Sequence, residues 1–259
     1  MSYTTITLNI DSRGVAYLRL DRAEKHNAMS ALMIEEITDA TSELEQNSTV
    51  RVVVLEAAGK TFCAGGDLEW MKEQMYASRE QRITEARKLA DMLNKLNSLS
   101  KPLIGKIQGN AFGGGVGMMS VCDLAICSKN IKIALTEVKL GLIPATISPY
   151  VVARIGETNA RKVGLSAKVF DAIQAREFGL VAEIAEDLDA AIEAEISWFL
   201  KVAPDAVAAT KALFRHLGSN IDEAVINHSI ERLADTWEGR EAQEGISAFF
   251  EKRNPKWLS

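Results

Sequence analysis

Several residue types are scarce in this chain of 259 residues, and each scarcity closes a route. Cysteine occurs three times, as Cys63, Cys122 and Cys127, an odd number without metal-ligand spacing and with apolar neighbours. Buried free thiols are the expectation, not a disulfide framework, a metal site or a nucleophile. Histidine also occurs three times, as His26, His216 and His228, one in a loop and two in helical stretches. No Gly-x-Ser-x-Gly elbow accompanies them, so no nucleophile-base-acid array is indicated, and no metal set either. No apolar run reaches the ~18 residues that span a bilayer. The start, Met1-Ser2-Tyr3-Thr4-Thr5, shows neither a signal peptide nor an Arg-rich transit pattern, so a cytoplasmic protein is expected. Basic blocks are missing too: 30 Lys and Arg against 35 Asp and Glu leave a net charge of −5, which argues against nucleic-acid and membrane-surface partners. With five prolines and no Ser/Gly/Pro-rich stretch, no linker divides the chain.

What is present is enough apolar material, 47% of residues, for one large core. Ile6, Leu8 and Ile10 alternate, Asp11-Ser12-Arg13-Gly14 turns, and Val15 to Leu20 returns as a hairpin partner. Ser30 is placed to cap a helix with the stripe Met33, Ile37, Ala40, Leu44. Arg51 to Leu55 reads as a buried strand, and a long amphipathic helix spans Arg79 to Leu99 until Pro102 stops it. Leu103 to Ile107, Asp123 to Cys127 and Lys132 to Leu135 are further strands. Ala172 to Phe178 is a helix closed by Gly179, followed by a strand from Leu180 to Ile184. From Leu188 the pattern is helical almost to the end. The order implies an α/β fold of ββα turns that spiral, with residues 1–190 as the core and 191–259 as a helical region.

Two strands end in glycine. Thr61-Phe62-Cys63-Ala64-Gly65-Gly66-Asp67-Leu68 is one bend, and Gly109-Asn110-Ala111-Phe112-Gly113-Gly114-Gly115-Val116-Gly117 is the other. Glycine lets backbone N–H groups approach a ligand oxygen, and a helix start adds unpaired donors. A phosphate loop would need Lys and Ser/Thr after the last glycine, and a dinucleotide fingerprint would need G-x-G-x-x-G; neither is present. Two readings stay open for the second bend alone: an oxyanion hole, or close packing of a helix on a strand. Because an oxyanion hole needs two converging donors, the pair of bends favours the first, with Gly66 and Gly114 as donors.

These residues also carry a resemblance. Phe62 to Leu68, then Gly109 to Gly115 and Cys122-Asp123, are similar to the crotonase (enoyl-CoA hydratase/isomerase) superfamily. Further matches are Glu24-Lys25-His26-Asn27-Ala28, Leu135 to Pro144 with Glu137, Ala175 to Val181, and Phe249 to Arg253, so it covers nearly the whole chain. The resemblance implies a ββα spiral core, a C-terminal helical region that builds homotrimers or homohexamers, and an acyl-CoA as substrate without any further cofactor. It places the thioester oxygen between Gly66 and Gly114 and makes Glu137 the proton-transferring group. Ala64 and Leu68 would line the adenine pocket, Lys25 and His26 would lie along CoA, and Phe249 and Lys252 would reach it from the tail.

One position departs from the pattern. Hydratases of the superfamily usually carry a second glutamate where this chain has Gly117, and a single acid resembles the Δ3-Δ2-enoyl-CoA isomerases. The dienoyl isomerases carry an aspartate where Ala145 stands, which disfavours them. The run from Leu135 to Val152 and the closing Phe-x-Glu-Lys-Arg-x-Pro-x-Trp are nevertheless similar to bacterial methylglutaconyl-CoA hydratases. Hydration of an enoyl-CoA, with room at Gly117 for a branched or charged chain, is therefore expected. Isomerisation, and binding of acyl-CoA without chemistry, are the alternatives. The Met- and aromatic-rich stretch Glu69 to Ser78 is expected either to wall the acyl pocket or to pack in the core, and an acid from Glu69 to Glu80 could replace the missing one.

Overall fold

The computed structural model describes residues 3–258. In chain order the elements are β1 (Ile6–Ile10), β2 (Val15–Leu20), α1 (Ala31–Gln46), β3 (Val52–Ala57), β4 (Thr61–Cys63), α2 (Leu68–Tyr76), α3 (Arg79–Ser98), β5 (Leu103–Ile107), β6 (Asn110–Phe112) and α4 (Gly114–Val121). They continue as β7 (Leu124–Ser128), β8 (Lys132–Ala134), α5 (Ser148–Gly164, kinked at Gly156), β9 (Phe170–Asp171), α6 (Ala172–Glu177), β10 (Glu183–Ala185) and the helices α7 (Leu188–Phe199), α8 (Pro204–Leu217), α9 (Glu223–Glu238) and α10 (Arg240–Phe250).

The strands divide between two sheets. The larger runs β1-β2-β3-β5-β7-β10 and the smaller β4-β6-β8-β9. Each turn of the spiral therefore lays one strand in the large sheet and the next in the small one: β3 then β4, β5 then β6, β7 then β8. This is the expected ββα spiral. Among the described residues only the β1/β2 and β8/β9 pairs are antiparallel. Burial on both faces explains the unbroken apolar run of β3: Val53 and Leu55 join the main core, while Val52 and Val54 meet Ile192 and Ile196 of α7 on the opposite face. Helix α7 begins before residue 191 and is a layer of the sheet. Helix α9 packs on α3 through Ile226 and Ile230 against Ala86 and Ala90, and α10 packs through Ala242 and Ile246 on Leu142 and Trp237. Among the described residues no helix is long and apolar enough to cross a membrane.

The hairpin, the Ser30 cap, helix α3 and the Gly179 closure stand where the sequence puts them. Three readings need correction. Asn110 to Phe112 is a strand inside what reads as a glycine turn, because it pairs with β4 and β8. The stretch after Gly179 becomes strand only at Glu183, since Leu180 and Val181 spend their amides on Ala175 O. Ser148 to Gly164 is a helix that opens with Pro149 in its first turn, a start signal the sequence reading passed over.

Candidate active site

The small sheet assembles the site. Strands β4, β6 and β8 are neighbours and parallel, with Cys63 opposite Ala111 and Phe112 opposite Ala134. Their C-terminal ends therefore lie side by side, and each runs straight into one of the singled-out segments: Gly65-Gly66 after β4, Gly113-Gly114 after β6, and Glu137 three residues after β8. Both bends need glycine, with φ of +96° at Gly65 and +49° at Gly113. They also touch: a Cβ on Gly65 would stand 3.2 Å from Phe112 O and 4.0 Å from Gly113 Cα.

Gly66 and Gly114 are each partly exposed, unlike the buried glycines Gly65, Gly113 and Gly115 beside them. Among the described residues neither of their N–H groups donates to a protein acceptor. For Gly114 the reason is its place as the first residue of α4, where no intrahelical acceptor exists. For Gly66 the reason is pairing: Met29 N–H donates to Gly65 O at 2.8 Å and Met29 O accepts from Asp67 N–H at 2.9 Å, so the amide between them is turned off the bridge. Asp67 then caps α2, accepting from Glu69 N–H at 2.8 Å, and pairs with Arg22 at 3.0 Å. Burial pushes its carboxyl up, but those amides and the guanidinium outweigh it and hold the pKa below the usual carboxylate range.

Glu137 opens a 3-10 turn, Glu137–Leu140. Its Oε1 lies 2.9 Å from where a Cβ of Gly113 would stand, so the carboxylate sits directly over the second bend. Its Oε2 is sealed and has no hydrogen-bond partner. Burial pushes this carboxyl up to about 7, the amides of Glu137 and Thr136 offsetting only part of the rise. A carboxyl poised there can both take and return a proton near neutrality. The turn is clamped by α10 at backbone distance: a Cβ on Gly245 would stand 2.5 Å from Leu140 O, and one on Gly141 would overlap the Glu241 carbonyl.

The residues expected along CoA fall into two groups. His26, in the left-handed region, accepts from Ala64 N–H through its carbonyl at 3.1 Å and meets Thr61 Oγ1 through Nδ1 at 3.2 Å. Lys25 reaches Glu69 at 3.5 Å, next to the half-exposed Leu68. These four, Lys25, His26, Ala64 and Leu68, thus line one rim beside Gly66. Phe249 and Lys252 lie at the end of α10, where Lys252 N–H donates to Phe249 O at 3.2 Å and the Phe249 ring meets that of Phe250. Among the described residues no hydrogen bond, ion pair or ring contact joins them to Lys25, His26, Ala64 or Leu68.

Gly117 corrects a further expectation. It opens no cavity: a Cβ there would overlap Ile147 Cγ2 and stand 2.9 Å from Ile147 Cβ and 3.7 Å from Leu93 Cδ2. Apolar packing of α4 against the start of α5 fills the space. Glu69, Glu73 and Glu80 all face solvent, none of them packed beside Gly117. Helix α2 brings Trp70 and Met71 to within 3.6 Å of the Cβ position of Gly66, while Tyr76 is exposed and Met75 packs against the cluster of Leu142, Trp237, Ala242 and Ile246. Sequence reasoning missed Met29 and Ile147; Met29 follows the Glu24 to Ala28 stretch directly, and Ile147 lies inside the run after Glu137. The three cysteines are buried and free, and burial pushes Cys63 and Cys122 up to about 12. Among the described residues no group of three or more His, Cys, Asp or Glu is gathered for a metal ion.

Known proteins share this architecture. A putative enoyl-CoA hydratase of Thermus thermophilus is 31% identical over 255 residues, covering 96% of this chain and all of that one. The mitochondrial Δ(3,5)-Δ(2,4)-dienoyl-CoA isomerase of Dictyostelium discoideum is also 31% identical, over 95% of this chain and 88% of its own. Among solved structures, an enoyl-CoA hydratase from Shewanella pealeana is 40% identical with a TM-score of 0.82, covering 98% of this chain and 96% of that one. The family model described as enoyl-CoA hydratase/isomerase matches residues 11–259, and the chain belongs to that family of enzymes.

Proposed function

We propose that the enzyme adds water across the 2,3-double bond of an enoyl-CoA, with Gly66 and Gly114 N–H holding the thioester oxygen and Glu137 moving the proton. What supports this reading is the contact of the two glycine bends, with Gly66 and Gly114 N–H lacking a protein acceptor, and the Glu137 carboxyl, pushed up to about 7, over the second bend. As carboxylate, Glu137 takes a proton from water while the oxygen attacks C3. The double-bond electrons move toward the thioester oxygen, which becomes an enolate, and the same carboxyl then returns the proton to C2. Each fixed donor at that oxygen is worth about 3–4 kcal/mol. Hydration is preferred because relatives of this chain carry hydratase names.

A second reading, 1,3-transfer of a proton in a 3-enoyl-CoA, is favoured by Ile147 filling the place next to Gly117, which leaves one acid. For hydration, the absence of a second glutamate at Gly117 removes one charge that would repel a branched acyl chain ending in its own carboxylate, such as 3-methylglutaconyl-CoA. The reading includes CoA along Lys25, His26, Ala64 and Leu68, and contacts from Phe249 and Lys252, which are at hand if a neighbouring copy supplies them. Self-association through the C-terminal helices fits α8, which buries none of its residues and exposes Leu213, Phe214 and Leu217. The test is a panel of 2-enoyl- and 3-enoyl-CoAs that includes 3-methylglutaconyl-CoA, followed by thioester absorbance. Hydration removes the conjugated band and isomerisation creates it; undiminished hydration by Glu137→Gln removes Glu137 from the mechanism.

A further inference from the structure

We infer that Met29 is a positioning residue that sets the separation between the two amide donors. The inference rests on the oxyanion reading of Gly66 and Gly114 and deepens it. One end of Met29 is fixed to the first bend: its N–H and C=O bracket Gly66 by bonding Gly65 O and Asp67 N–H at 2.8 and 2.9 Å. The other end is fixed to the second bend. Met29 Cε occupies the space that a Cβ of Gly114 would need, and Sδ lies 3.6 Å from the same point. Backbone and side-chain tip of one residue thus span the gap between the two donors.

The strut is itself held. Arg22 Nη1 donates to Ala28 O at 2.9 Å and pairs with Asp67 at 3.0 Å, tying the residue before Met29 to the residue after Gly66. Met29 is 2% exposed and packs in the main core, so its side chain cannot swing away. Length is the property that matters. An unbranched chain ending at Cε reaches Gly114; leucine ends one atom earlier, and alanine leaves nothing against the α4 N-terminus. Since α4 begins at Gly114, any shift of that helix relative to β4 changes the distance between donors without touching the Lys25 to Leu68 rim.

Such a change acts on the developing oxyanion more than on bound ground state, so it falls on kcat. A misplacement near 1 Å is worth about 100-fold, and the expectation for Met29→Ala is a kcat lower by about 10- to 100-fold with KM within about threefold. Met29→Leu should recover part of the loss. A spectroscopic readout separates positioning from general loosening: cinnamoyl-CoA bound to the Glu137→Gln protein should show its absorbance shifted to longer wavelength, because two donors polarise the carbonyl. In Glu137→Gln/Met29→Ala the shift should shrink while cinnamoyl-CoA still binds, and in Glu137→Gln/Met29→Leu it should be intermediate; the leucine arm carries the test if the alanine protein does not fold. An undiminished shift in the Met29 variants overturns the role of Met29 and leaves the donor reading intact. Absence of any shift in Glu137→Gln alone overturns the donor reading itself.

Discussion

Burying the Glu137 carboxyl costs the folded protein stability in proportion to its displaced pKa, and the sign of the pH dependence follows. In the unfolded chain the group titrates near 4.5; in the folded protein burial pushes it up to about 7. Between these values the native state binds more protons than the unfolded state, so stability falls as pH rises. It is fully present below 4.5, declines through about 7, and is level above that. At about 1.4 kcal/mol per tenfold, the whole loss is about 3 kcal/mol. Glu137→Gln has the same shape and no charge to lose. Its amide gains no obvious partner, because Oε2 has none, and an unsatisfied group costs about 1–3 kcal/mol at every pH. The quantity to measure is therefore the pH dependence, not the offset. Urea unfolding of both proteins between pH 4.5 and 8.5 should show a free-energy gap that moves by about 3 kcal/mol in favour of the variant as pH rises. A gap that stays constant across the range refutes the claim that Glu137 is held in a desolvated site.

Three other outcomes follow from the same geometry. If the carboxylate form starts the reaction, kcat/KM rises with pH from 5 and levels above about 7, and a profile flat from 5 to 8 removes Glu137 as the base. Gly117→Ala should cost about 1–3 kcal/mol of stability by overpacking against Ile147 Cγ2, and Ile147→Ala, which removes that atom, should relieve part of it; additive losses in the four-way comparison by urea unfolding contradict the contact. Gly245→Ala drives a methyl against Leu140 and should lower kcat about 10-fold or more by displacing the turn that carries Glu137; unchanged kcat means the α10 clamp does not set the carboxylate.

The parts of this molecule legible in its sequence are those governed by local periodicity. The β1/β2 hairpin, the 3.6-residue stripe of α1 and α3, and the cap at Ser30 depend on near neighbours, and they were readable from residue order. Strand β6 was not, because Asn110 to Phe112 is extended only by virtue of β4 on one side and β8 on the other. The candidate site divides the same way. Gly66, Gly114 and Glu137 were readable as glycine-bearing strand ends and a motif glutamate. The partners that shape the site, Met29 and Ile147, reach it across 85 and 30 residues of sequence from Gly114 and Gly117, by side-chain contacts that no spacing rule encodes. For that reason Gly117 read as a place for substrate when it is a place for a neighbouring helix.

The proposed mechanism depends on where the thioester oxygen sits. A crystal structure of the Glu137→Gln protein with a bound 2-enoyl-CoA is the direct measurement, because the variant holds the complex without turning it over. The oxygen should lie about 2.7–3.1 Å from both the Gly66 and Gly114 nitrogens, with the side chain of residue 137 beside C2 and C3. An oxygen bound by one amide or by neither, or an acyl chain running away from residue 137, contradicts it.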